Sequence, residues 1–132
     1  MMETTSKTET AEPSPGKTVE AVDLAPLLGN WVNSNPATKW IKRFTLAKRD
    51  GAAVLHAFGA QEPLDWGEVE LTAYMGDSAM VGFHAVYDLG SMEAILAANT
   101  NKGLVVIVAF YKFKDQSGRA NFISREFYFR EQ

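Results

Sequence analysis

Between Gly29 and Arg130 the chain repeats one pattern: a short stretch rich in Val, Ile, Phe, Tyr and Thr, then a few residues with turn chemistry. Eight such stretches can be marked, at 29–33, 40–47, 53–59, 67–75, 79–88, 92–98, 104–114 and 121–130. The separators read SNPAT, KRDGA, EPLD, MGDS, DLGS, NTNKG and DQSGRA. Gly, Pro, Asn, Asp and Ser mark turns because they accept positive φ, preset φ or bond their own backbone. Connectors this short force antiparallel neighbours, since a parallel crossover needs a dozen or more residues. An antiparallel meander leaves two unpaired edges, and closing it on itself removes them. The pattern predicts an all-β fold, an antiparallel up-and-down barrel of eight strands, with a sandwich as the competing outcome. Segment 92–98, MEAILAA, favours helix by propensity. A helix there would leave seven strands and a gap, so a strand is expected.

The flanks differ. Residues 1–18 carry Thr, Ser, Glu, Lys and Pro with almost nothing apolar, and such a segment cannot offset the entropy of ordering it. It is expected to be a disordered tail ahead of a single barrel domain at 19–132. VEAVDLAPLL, at 19–28, holds apolar residues, but Pro26 limits any helix to a turn or two.

Charge and composition narrow the partners. The net charge of −3 gives no electrostatic reason to expect nucleic acid or an anionic membrane surface. KWIKRFTLAKR gathers Lys39, Lys42, Arg43, Lys48 and Arg49 around two rings. An edge strand guarded against mispairing by its charges explains it better than single-stranded nucleic acid does. No run approaches the roughly 18 apolar residues of a membrane span. The chain has no Cys, which removes disulfides, zinc–thiolate sites and thiol nucleophiles. It also lacks a basic start followed by an apolar run, so a cytoplasmic location is expected.

Gly29 and Trp31 in LLGNWVN, after a short helical turn and at the start of the first strand, resemble the G-x-W signature of the calycin group: lipocalins, fatty-acid-binding proteins and avidins. The resemblance implies that Trp31 plugs one end of the barrel under an arginine from the last strand, either Arg125 or Arg130. Two further stretches, VLHAFGAQEPLDWGEVELTAY and FKDQSGRANF, resemble an uncharacterised bacterial family with F-G-x-C…P…C-D-W-G and F-x-D-x-S-G-R motifs. Gln61 and Leu64 stand where that family has cysteines.

Few residues suggest chemistry. His84 and Asp88 lie two pleats apart on one strand face and could act as an acid–base pair. No third or fourth metal ligand is spaced to join them, so no metal is expected, and no cofactor motif is present. Glu68 and Glu70 alternate with apolar residues as on a solvated face. Trp66, after Pro63, suits either packing under the rim or a half-wet ligand mouth. Arg119 could reach an anionic ligand from its hairpin loop. The leading expectation is a binding module that holds a small, largely apolar molecule in the barrel, with Trp66, Tyr74, His84 and Tyr87 as polar handles. The alternatives are a cyclase or isomerase using His84 or Asp88, and a solid barrel that acts by its outer face. Rings on both faces of the last strand predict a homodimer through 104–114 and 121–130.

Overall fold

The computed structural model describes residues 22–131. The tail expected at 1–18 lies outside them. A 3-10 turn, Ala25–Leu27, leads into nine strands, and a second, Asp77–Ala79, lies between the fifth and sixth. They are β1 (Gly29–Asn33), β2 (Ile41–Arg49), β3 (Ala52–Gly59), β4 (Asp65–Glu70), β5 (Thr72–Met75), β6 (Val81–Asp88), β7 (Met92–Asn101), β8 (Leu104–Phe113) and β9 (Phe122–Arg130). Every pairing is antiparallel. The sheet order is β4-β3-β2-β1-β9-β8-β7-β6-β5, so the last strand pairs with the first. In that pairing Trp31 faces Arg130 and Val32 faces Phe129.

The expected eight strands become nine because the segment 67–75 breaks at Leu71. β4 pairs with β3, and β5 pairs with β6. These two ends of the sheet order are therefore halves of one bent strand that changes partner, and the barrel is nearly closed. The helix-favouring segment is strand β7, paired with β8 along its whole length and with β6 over Glu93–Asn99. Its inward residues explain why. Ala94 lies between Tyr87 and Tyr111, Leu96 between Ala85 and Ala109, and Ala98 between Phe83 and Ile107. Small side chains are needed wherever neighbouring strands supply large ones, and that packing outweighs propensity. β2 corrects another expectation. It is paired on both sides and is not an edge. Its basic residues cover the outer wall, where Arg49 bonds Glu68 at 2.5 Å and Arg43 lies 3.9 Å over the Phe58 ring.

The floor of the barrel is built around Trp31, which is 3% exposed. Its indole N–H donates to the Leu27 carbonyl at 2.9 Å. The Arg130 guanidinium stands 4.5 Å from the ring centroid and donates to the carbonyls of Leu28 and Pro26. Such a cation over an indole contributes about 0.5–2 kcal/mol. Of the two candidate arginines it is therefore Arg130 that covers the plug; Arg125 lies 4.8 Å over Phe127. The small residue beside the large one also has its reason. Gly29 has φ +123°, and a Cβ there would stand 3.0 Å from an Arg130 nitrogen.

Side chains fill the middle. Phe44 of β2 is fully buried, 5.1 Å from Tyr128 and 6.3 Å from both Trp31 and Phe83 on the opposite wall. Two bulges interrupt the ladders, and a tyrosine answers each. On β2, Lys42 is the extra residue between Ile41 and Arg43. The freed Ile41 carbonyl accepts from the Tyr128 hydroxyl at 2.8 Å and from Asn33 at 3.0 Å. On β4, Trp66 and Gly67 oppose the single residue Ala57, and Gly67 takes φ +78°. The Tyr87 hydroxyl accepts from the Ala57 N–H at 3.0 Å and donates to the Gly67 carbonyl at 2.8 Å. Bulges free backbone groups that would be costly if left bare inside. Among the described residues no buried side-chain N or O lacks a partner.

Tyr87→Phe is expected to strand the Ala57 and Gly67 backbone groups and lower stability by roughly 1–3 kcal/mol. Urea unfolding should show a lower midpoint with an unchanged slope. Tyr74→Phe, whose hydroxyl is exposed, should stay within about 0.5 kcal/mol of the parent.

Candidate functional site

The end opposite Trp31 is the mouth, where the segments 34–40, 60–64, 89–91 and 114–121 come together. Backbone bonds tie them to one another: Ala60 N–H to the Trp40 carbonyl at 2.7 Å, Lys114 N–H to Ser91 at 2.7 Å and Gly59 N–H to Leu64 at 2.8 Å. Segment 34–40 is thus bonded to 60–64, and 89–91 to 114–121.

Aromatic side chains dominate it. Tyr111 and Phe122 are cross-strand partners at the rim. Trp40 stacks on both, with centroids at 4.4 Å and 5.0 Å, and lies 6.3 Å from Phe113. Beside these rings a cleft of about 80 Å³ is lined by Lys39, Trp40, Glu62, Trp66, Phe113 and Arg119. A wider groove of about 380 Å³ continues over Trp40, Phe113, Arg119, Asn121 and Phe122.

Two loops hold this arrangement. In the first, the buried Trp66 donates from its indole nitrogen to the Pro63 carbonyl at 3.0 Å and meets Tyr87 edge-on at 5.3 Å. Asp65 accepts from His56 Nε2 at 2.6 Å and from the Gly67 N–H at 2.8 Å. The hydrogen bond from His56, then that from Gly67, holds its carboxyl below the usual range. In the second loop, Asp115 accepts from the Ser117 N–H at 3.0 Å and from Arg119 Nη2 at 2.9 Å. Arg119 also donates to the Ser117 hydroxyl oxygen at 3.1 Å, and its guanidinium carbon stands 3.9 Å from the Phe113 ring centroid. The Ser117 hydroxyl first, then the Ser117 N–H, then Arg119 bring the Asp115 carboxyl down to about 2. Gly118 supplies the positive φ, 77°, that the turn needs. The DWG and SGR motifs, some fifty residues apart in the chain, thus meet across one cleft.

The residues singled out from the sequence fall in three places. Trp66 and Arg119 share the mouth. Tyr87 points into the interior, where burial pushes its hydroxyl up to about 12 and its bonds all go to backbone. Tyr74 and His84 line a separate groove on the outer wall, about 420 Å³, with Met75, Met80, Ala97 and Val108. Asp88 is outward as well. Its carboxylate accepts from the Gly90 N–H and, at 2.9 Å, from Lys114, and those bonds lower its pKa. No motif or spacing in the sequence marks Trp40, Phe113 and Phe122 as site residues. Their clustering depends on how far the 34–40 segment folds back over β8 and β9, which no local pattern encodes.

The fold defines an antiparallel up-and-down barrel, compatible with the calycin group. Comparison with family models, with curated proteins and with solved structures gives no match to this chain. Among the described residues no three His, Asp or Glu side chains gather to hold a metal ion, and no helix is long and apolar enough to cross a membrane.

The Asp115 carboxyl is depressed in the folded loop, so its contribution is present above the unfolded value near 3.8 and is lost as pH falls toward 2. Carbon-detected NMR should place its titration midpoint near 2. The Ser117 and Arg119 amide signals should move together over that range, and in Asp115→Asn that movement should disappear.

Proposed function

We propose that the protein binds a small, flat, largely apolar molecule at the mouth of the barrel rather than in its interior. The observation that carries this reading is the ring cluster Trp40, Phe113 and Phe122 facing an open groove of about 380 Å³, above a core already filled by Phe44, Tyr87 and Tyr128. Apolar walls with a few placed polar groups are the usual composition of a small-molecule site. Rings on the rim offer stacking area at low entropic cost. Arg119, held by Asp115 and Ser117 over the Phe113 ring, adds a guanidinium beside them. Charge on that group is largely offset by Asp115, so stacking is the main attraction and an acidic group on the ligand a secondary one. Binding is favoured over the cyclase or isomerase reading because His84 and Asp88 stand on the outer wall, Asp88 paired with Lys114.

Anilinonaphthalene sulfonate, a flat apolar anion, tests this by fluorescence titration. Its enhancement is expected to fall about tenfold or more in Trp40→Ala and in Phe113→Ala, and to survive in Phe110→Lys, a change on the outer wall. Retention in both mouth variants, or loss in Phe110→Lys alone, would refute the assignment. Circular dichroism melts should show the variants folded.

A further inference from the structure

The outer wall of β6, β7, β8 and β9 carries a feature that the mouth does not use. Val86, Ile95, Phe110 and Ile123 are successive cross-strand neighbours, one from each strand. All four point outward and are 39–56% exposed. They form one apolar row across four strands, and the His84–Ala97–Val108–Arg125 row beside it is also apolar at its centre. A contiguous apolar face on a sheet marks a surface that is covered in the working state. A groove of about 500 Å³ along it, lined on the outer wall by Glu93, Ile95, Phe110 and Ile123 and reaching the rim at Phe122, leaves room for a side chain from outside.

The charges beside this row decide what covers it. Glu93 and Lys112 are cross-strand partners, two residues from Ile95 and Phe110 on the same face. No ion pair among the described residues takes up either of them. Consider a two-fold axis parallel to the strands, between β7 and β8. It lays β7 of one copy over β8 of the other at the same level. Ile95 then meets Phe110, Ala97 meets Val108, and Glu93 meets Lys112, each contact made twice, while Val86 and Ile123 flank the contact where the convex wall curves away. Along β7 and β8 apolar residues match apolar ones and opposite charges match each other with no change to the chain, as an isologous contact requires, while at the edge of the face the same operation sets His84 of one copy on the side of Arg125 of the other.

We infer that this face is the interface of a symmetric homodimer, with Glu93 of each copy paired to Lys112 of the other. The axis runs along the strands, so both mouths open at the same end. This assembly does not rest on the mouth's being a ligand site.

The full chain is examined by light scattering after size exclusion, at micromolar concentration. The wild type should have twice the chain mass of 14.6 kDa. Glu93→Lys and Lys112→Glu each place like charges together and should weaken the dimer about tenfold or more. An equimolar mixture of the two should restore it, because each lysine then meets a glutamate. A monomeric wild type, single variants that stay dimeric, or a mixture that stays monomeric would each overturn the inference. If either charge variant fails to fold, the absence of Cys in the chain allows a second route. Ile95→Cys mixed with Phe110→Cys should crosslink in the mixture more than either does alone, and the reverse order would exclude this axis.

Discussion

Pairing of β9 with β1 is the constraint on which the rest of the molecule stands. Without it, β1 and the nine-residue β9 would each present unpaired N–H and C=O groups, and an exposed edge of that kind invites association. With it, Trp31 and Arg130 become neighbours, and the floor assembles from contacts among three segments: the 3-10 turn, the first strand and the last. The indole is anchored by its nitrogen and covered by a guanidinium whose own donors go to backbone carbonyls. Each part is useless alone, so the floor reports on closure as a whole.

Closing so short a barrel has a cost inside, and the polar interior shows how it is met. Bending β2 and β4 inserts an extra residue in each, and each insertion detaches backbone groups from the ladder. Two tyrosines cross the core to reach them. Their rings fill volume while their hydroxyls replace the missing ladder bonds, so packing and polar satisfaction are achieved by the same side chains. Phe44, Tyr87 and Tyr128 thus occupy the middle of the barrel.

Much of the architecture is legible in the sequence. Alternation and turn chemistry delimit the strands to within a few residues, and short connectors imply antiparallel order. The break at Leu71 is not legible, because Val69, Leu71 and Ala73 continue one alternation while the hydrogen-bonding partner changes from β3 to β6. Partner choice belongs to the neighbours, not to the strand. Alternation could have separated His84 from Tyr87, since residues three apart on a strand face opposite ways. It could not say which of the two faced inward; that phase is set by the whole ring of strands. The rim cluster was hidden for a similar reason: Trp40, Phe113 and Phe122 come from segments that meet only after closure. Basic residues on β2 misled because Lys and Arg guard edges in many sheets, whereas here a bulge turns Lys42 and Arg43 outward together from a fully paired strand.

The two ends of the meander also come to rest side by side. Glu131 donates its N–H to the Asn30 carbonyl, continuing the ladder where β1 begins and β9 stops. Seen along its axis, the wall is a cycle in which no strand is intrinsically first. A short peptide bridge between those neighbouring ends would make them one more hairpin, and a cut in the Lys102–Gly103 turn would give the same wall a different reading order. The order of strands along the chain is thus only one of several linear descriptions of this ring.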